Sequence, residues 1–430
     1  MSLTWMGAGV LALAALLAAL MEPVTHAPLA ATTPLIGRAS PAPSGGQAAA
    51  HLLYGRVTTD HAVFEGRLRW GGDQEALWIN YFNGAKSRNP WSAYAPYERR
   101  TFKVFGLEIA GWTSQVDVGR PFMARFGDIT RVDRYGREWR ITLKSGAVVH
   151  LAWGGADDMN DGVRVWDGTR GVVNLAESPI RTIEFLASPA RGNSPLPLYG
   201  TVRTRQGDFT GFVQWNRTEC LASDTLDGRS ADGAQSVRFD TIRSIARQSP
   251  DSSLVTLVDG KSLVLSGNRE VGGQDYGGIY VDDQRYGRVL VSWDAFERVD
   301  FKDGGTGPAY GDYPAGRLLL GAVTTRDGRR LAGRLVYDLD ESQTTETLDA
   351  PSEGIDYTLP FSLVASIGAP SPEGSGAQRV TVILRSAEEL QLEQSGDLGW
   401  RNAGMLIFAE GRQQPEYVRW ADVKEVEFDR

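Results

Sequence analysis

Carboxylates set at a common distance behind an aromatic residue are the side chains of this chain best placed for chemistry. Behind Trp215 come Glu219, Asp224 and the pair Asp227-Gly228. Behind Tyr337, without a gap, come Glu341, Glu346 and Asp349-Ala350. Behind Trp70, with one extra residue, come Glu75, Asn80 and Asn83-Gly84. Carboxylate and amide oxygens suit a hard cation such as Ca²⁺, which gathers about six to eight oxygens. The expected metal ligands, if a cation binds, are therefore Glu75, Glu219, Asp224, Glu341 and Glu346. The same side chains have a structural use, since an acid at a turn accepts hydrogen bonds from backbone or arginine donors. The spacing is not that of an EF-hand loop. A third use is hydrolysis of glycans, which needs two carboxyls facing one another roughly 5–10 Å apart. Further acids lie in Gly-containing loops later in each segment: Asp157, Asp158 and Asp161, then Asp275, then Asp397.

Other chemistries fall away. The single cysteine, Cys220, excludes an intramolecular disulfide framework and any multi-cysteine metal centre. Cys220 follows Glu219, a neighbour that disfavours a reactive thiolate. His26, His51, His61 and His150 are scattered, and His150 sits between Val149 and Leu151 as a strand residue would. Nucleophile-elbow, zincin and phosphate-loop patterns are absent. A net charge of −8 opposes binding to nucleic acid or anionic membranes. No cofactor is expected other than Ca²⁺.

The second candidate site is aromatic. Ten residues separate Gly228 from Phe239 and Ala350 from Phe361, whereas 41 separate Gly84 from Phe126. The insertion, residues 87–117, carries Trp91, Tyr94, Tyr97, Phe102, Phe105 and Trp112. Such rings bind sugars or apolar partner surfaces, or pack back on the scaffold that carries them. The ligand-binding set expected here is Trp91, Tyr94, Tyr97, Phe102 and Trp112.

Strands must position these groups. Tyr54–Trp70 and Tyr199–Trp215 align without a gap and share Tyr, Gly, Val, Thr, Phe, Gly and Trp; the segment from Leu320 follows the pattern with one extra turn residue. Within each, apolar residues alternate around a turn such as Gln206-Gly207, the pattern of a hairpin. A second signature places three apolar residues at intervals of three: Phe126/Ile129/Val132, Phe239/Ile242/Ile245, Trp293/Phe296/Val299, Phe361/Val364/Ile367 and Trp420/Val423/Val426. That spacing predicts one tight helical turn running into a closing strand. The chain is expected to be all-β, with three tandem repeat units over 52–187, 198–302 and 317–430. Each unit is expected to comprise two small five-stranded, barrel-like halves. The Pro- and Gly-rich connectors 188–197 and 303–316 read as linkers.

The motifs Gly321-x-Val323-x-Thr325-x-Asp327-Gly328…Gly333-x-Leu335 and Pro360-Phe361-x-x-Val364-x-x-Ile367 make a half-unit similar to the Sm-like and PRC-type small barrels. The resemblance implies fold and no functional residue. Gly-Arg-Val-Thr-Thr and Trp-x-x-x-Glu also resemble repeats of exported bacterial proteins of unassigned role.

Residues 7–20, GAGVLALAALLAAL, followed by Thr25-His26-Ala27, have the layout of a secretory signal peptide over 1–27, with 28–51 as a flexible tether. An uncleaved anchor is the alternative, and would be the chain's only membrane contact. Either arrangement exports the remainder to the periplasm or beyond. The function expected is a non-catalytic scaffold or binding module with a protein or glycan partner. The carboxylate-dependent hydrolase and a calcium-stabilised structural protein are the alternatives.

Overall fold

The computed structural model describes residues 49–430, except 72–73, 95–96, 100–101, 105–106, 110–112, 116–119, 153, 155, 190–194, 274–275 and 371–377. Of the strands between 97 and 115 it describes the backbone alone. The expected signal segment and nearly all of the tether lie outside the described residues.

The fold is all-β, in two eight-stranded sheets, one twelve-stranded sheet and three two-stranded ladders. In the first sheet the hairpin Tyr54–Thr59/Val63–Trp70 is central. Ile180–Phe185 pairs with its first strand, and Val163–Asp167 of the hairpin 163–175 with its second. Ile180–Phe185 also holds Ile129–Tyr135, from which Glu138–Leu143 and Val148–Ala152 continue. The second sheet has the same order around Tyr199–Thr204/Gly207–Gln214, and the third around Leu320–Thr325/Arg330–Val336. The second gains Thr225–Arg238 at one edge and Thr347–Pro360 at the other, so its last ladder borrows strands from the segment beyond it.

This pairing corrects the expected halves. Among the described residues no sheet closes into a barrel. Strands assigned to the two halves of a unit interleave instead. The cause is the closing strand, whose two edges are both used: Ile180–Phe185 serves Tyr54–Thr59 on one side and Ile129–Tyr135 on the other. The strands of each half are thereby split by those of the other and form no contiguous set that could close on itself.

Four of the five three-residue signatures form as expected, whereas residues 293–295 make a turn with no 3₁₀ helix before the strand Phe296–Phe301. Phe126–Asp128, Phe239–Thr241, Phe361–Leu363 and Trp420–Asp422 are single 3₁₀ turns, each leading directly into a strand. Their spaced side chains, such as Phe126, Ile129 and Val132, are wholly buried. The recurring glycine of the central hairpin has a steric reason. A Cβ on Gly66, Gly211 or Gly333 would collide with a backbone carbonyl of the next strand, that of Trp166, Asp282 or Phe408.

The described residues belong to one compact unit. A continuous apolar core runs through the second and third sheets, and the first-sheet core takes in Cys220, Leu221 and Tyr313. The connector 303–316 is thus a strap rather than a free linker. Tyr313 packs its ring over Gly127 and under the Arg125 guanidinium, 4.5 Å from the ring centre. Lys144 donates to the carbonyls of Tyr310 and Tyr313 at 2.5 and 3.0 Å.

Candidate functional site

Each central hairpin ends in an aromatic residue, followed in the second and third sheets by a three-residue turn, 216–218 and 338–340. Trp70 and Gln74 exchange two backbone hydrogen bonds, as do Trp215 and Glu219, and Tyr337 and Glu341, all between 2.7 and 3.0 Å. The turn backbone adopts positive φ at Asn216, Arg217, Asp338 and Leu339, which fits the tight reversal of a hairpin. These bonds correct the alignment of the acidic series. Gln74, not Glu75, stands where Glu219 and Glu341 stand. The extra residue falls after the turn, a placement residue types alone do not reveal.

Three tiers of polar contacts follow in each copy. The first is a backbone cap. Asn80 accepts from the amides of Glu75 and Ala76, Asp224 from Cys220 and Leu221, and Glu346 from Ser342 and Gln343, all at 2.5–3.1 Å. The second ties in a distant loop: the Asn83 amide donates to Asp158, Asp227 to Glu270 and Asp349 to Asp397, at 2.6–2.7 Å. The third is the aromatic itself. The Trp70, Trp215 and Tyr337 side chains donate to the carbonyls of Asp158, Glu270 and Asp397 at 2.7, 2.7 and 3.0 Å. Asp158 and Asp397 were legible as loop acids. Glu270 was not, because nothing in its local sequence marks the backbone donor that it meets.

The expected metal ligands therefore divide. Asp224 and Glu346 are caps, and Glu75 forms a buried ion pair with Arg67. Glu219 and Glu341 each keep one carboxylate oxygen buried without a hydrogen-bond partner, as Gln74 does its amide oxygen. Burial, with Glu270 nearby, pushes Glu219 up to about 8, and burial raises Asp224 to about 6 against its two amide donors. Burial also lifts the Cys220 thiol, consistent with an inert side chain. Among the described residues no three His, Cys, Asp or Glu are spaced to hold a metal ion.

The third copy differs because the first segment closes over it. The strands Tyr81–Ala85 and Pro121–Arg125 pair as a hairpin base. From that base Lys86 reaches Asp340 at 2.5 Å and Glu346 at 3.8 Å, and Arg120 grips Asp338 with two bonds of 3.0–3.1 Å. Asn89 donates to the Leu339 carbonyl at 2.8 Å. The other side of the base is fixed to the second sheet. Arg288 lies 3.9 Å over the Tyr81 ring, and Asn80 donates to Gln214 at 3.2 Å. Between base and third sheet lies a cavity of about 280 Å³, walled by Asn83, Lys86, Phe122, Glu341, Asp349 and Asp397 among others. Burial and neighbouring carboxylates drive Glu341 and Asp397 well above the usual acid range. Burial raises Glu346 despite Lys86, and raises Asp338 to about 7 despite Arg120.

Of the expected ligand-binding aromatics, Trp91 and Tyr94 pack edge-on against Phe408 of the third sheet, with centroids 5.8 and 5.9 Å away. Arg334 covers the same pair of rings, Trp91 and Phe408. Tyr97 and Phe102 begin two short ladders, Tyr97–Arg99 with Thr113–Gln115 and Phe102–Val104 with Leu107–Ile109. Trp112 and Phe105 lie outside the described residues.

Comparison with known proteins finds no matching family model, no similar curated protein and no similar solved structure. Among the described residues no helix is long and apolar enough to cross a membrane.

Proposed function

We propose that the chain is an exported, non-catalytic scaffold or binding module, built of three tandem repeat units that each arose from two related halves. The shared strand order of the three sheets supports the triplication. The observation that carries the functional reading is the 81–125 hairpin. Its base is bound to both the second and the third sheet, and the ladders 97–99/113–115 and 102–104/107–109 lie in the segment that it encloses. A rigid body carrying a long β-hairpin insertion suits capture of a protein or glycan partner. Most acids of the series hold backbone donors, which suits a structural role. Export rests on the apolar segment 7–20.

The test replaces 96–116 with a short Gly-Ser turn, leaving Trp91 and Tyr94 in place. The intact chain is expected to retain a partner from envelope or culture fractions. The shortened chain should lose it while unfolding at an unchanged temperature. The hydrolase reading has one support, the shared cavity of Glu341 and Asp397. Release of reducing ends from glycans by the intact chain, abolished in Glu341→Gln, would favour it over the scaffold.

A further inference from the structure

We propose that the cavity between the 81–125 hairpin and the third sheet is a binding site for a small alkyl-ammonium ligand, a diamine in its simplest form. The inference rests on the scaffold reading only in taking these carboxyls as a binding wall rather than a catalytic pair.

Charge is the first argument. Asp340, Glu341, Glu346, Asp349 and Asp397 all face the cavity, and Lys86 is the one cation in its wall. Lys86 is engaged by Asp340 and, more distantly, by Glu346. At the other end, made by Glu341, Asp349 and Asp397, no cation lines the wall; the charge of Arg288 reaches Asp349 and that of Lys86 reaches Glu341 only from a distance. The second argument is independent of the clustering. One oxygen of Glu341 and one of Asp349 are sealed from solvent and have no hydrogen-bond partner. A buried acceptor left unpaired is costly, and a ligand N–H would satisfy it.

The third argument selects the ligand. Lys86 itself shows that an ammonium on an alkyl stem fits here, with Phe122 and Pro121 in the same wall and its head on a carboxylate. About 280 Å³ exceeds the share of a single water, roughly 30 Å³, several-fold. Exposed Pro121 in the cavity wall gives a route from solvent. Burial raises Glu341 and Asp397 above the ordinary acid range, with Asp338, Asp340 and Asp349 adding repulsion and Lys86 opposing it at Glu341. An arriving ammonium stabilises the carboxylate form, so binding is coupled to release of protons to solvent.

Titration calorimetry of the full chain with cadaverine tests this, run in two buffers of different ionisation enthalpy. Saturable binding accompanied by proton release is expected. Pentane-1,5-diol and CaCl₂ should give no saturable heat. Glu341→Gln should weaken cadaverine binding about tenfold or more, while Glu219→Gln, at the matching place in the second sheet, should leave it unchanged. No saturable binding, binding indifferent to Glu341→Gln, or preference for Ca²⁺ would overturn the proposal. Those outcomes leave the scaffold reading standing, because partner capture and glycan hydrolysis test that separately.

Discussion

Glu219 shows how a side chain that looks like a ligand becomes a titrating strut. Its backbone closes the Trp215 turn, and its carboxyl is buried near Glu270. The native value of about 8 lies above the ordinary 4.5. The folded state therefore holds a proton that the unfolded chain releases. The group's contribution is full below pH 4.5 and is lost as pH rises to about 8. Glu219→Gln should flatten this slope and stabilise the protein at pH 8 by about 1–3 kcal/mol, read from urea unfolding at pH 5 and pH 8. A variant with the parent's pH slope would contradict the assignment. Glu75 is the opposite case, since its charge is matched by Arg67. Arg67→Met strands a buried carboxylate and should cost about 3–5 kcal/mol. Chelation should leave the Tm unchanged; a fall on adding EDTA would favour the calcium-stabilised reading. The acids were legible as a recurring series. Their offset at Gln74 was not, because the register is set by the Trp70–Gln74 backbone bonds, which no side chain records.

The elements were legible to the extent that periodicity fixes faces. Alternation in Gly200–Trp215 gave a hairpin, and the spacing Phe239/Ile242/Ile245 gave a turn feeding a strand. Partner choice is another matter. The strand Val163–Asp167 has apolar residues on one face whether it pairs only with Gly171–Leu175 of its own half or also with Val63–Trp70, and only the three-dimensional packing adds the second partner. The connector illustrates the same limit. Its Pro and Gly content reads as a linker, yet Tyr310 and Tyr313 fasten it to the first sheet. The room for that strap is made at Gly127, whose hydrogen points into the Tyr313 ring. Gly127→Ala should displace the ring and destabilise the protein by about 1–3 kcal/mol. A stability within about 0.5 kcal/mol of the parent would show that the strap contributes little.

At the scale of the whole molecule, long-range ties make one platform of three sheets. Arg120–Asp338 and Lys86–Asp340 cross from the first segment to the third, Arg288 crosses from the second to the first, and Gly287–Val291 pairs with Ile355–Thr358 across the last boundary. None of these contacts was visible in the sequence, since each joins residues more than 60 positions apart whose neighbours carry no shared motif. A binding scaffold of this kind requires that the sheets behave as a single body. Differential scanning calorimetry of the intact chain measures that directly. One cooperative transition is expected, with equal van't Hoff and calorimetric enthalpies. The double variant Lys86→Met/Arg120→Met should separate the first-sheet transition from the rest. Two or three independent transitions in the intact chain, unaltered in the double variant, would contradict the account.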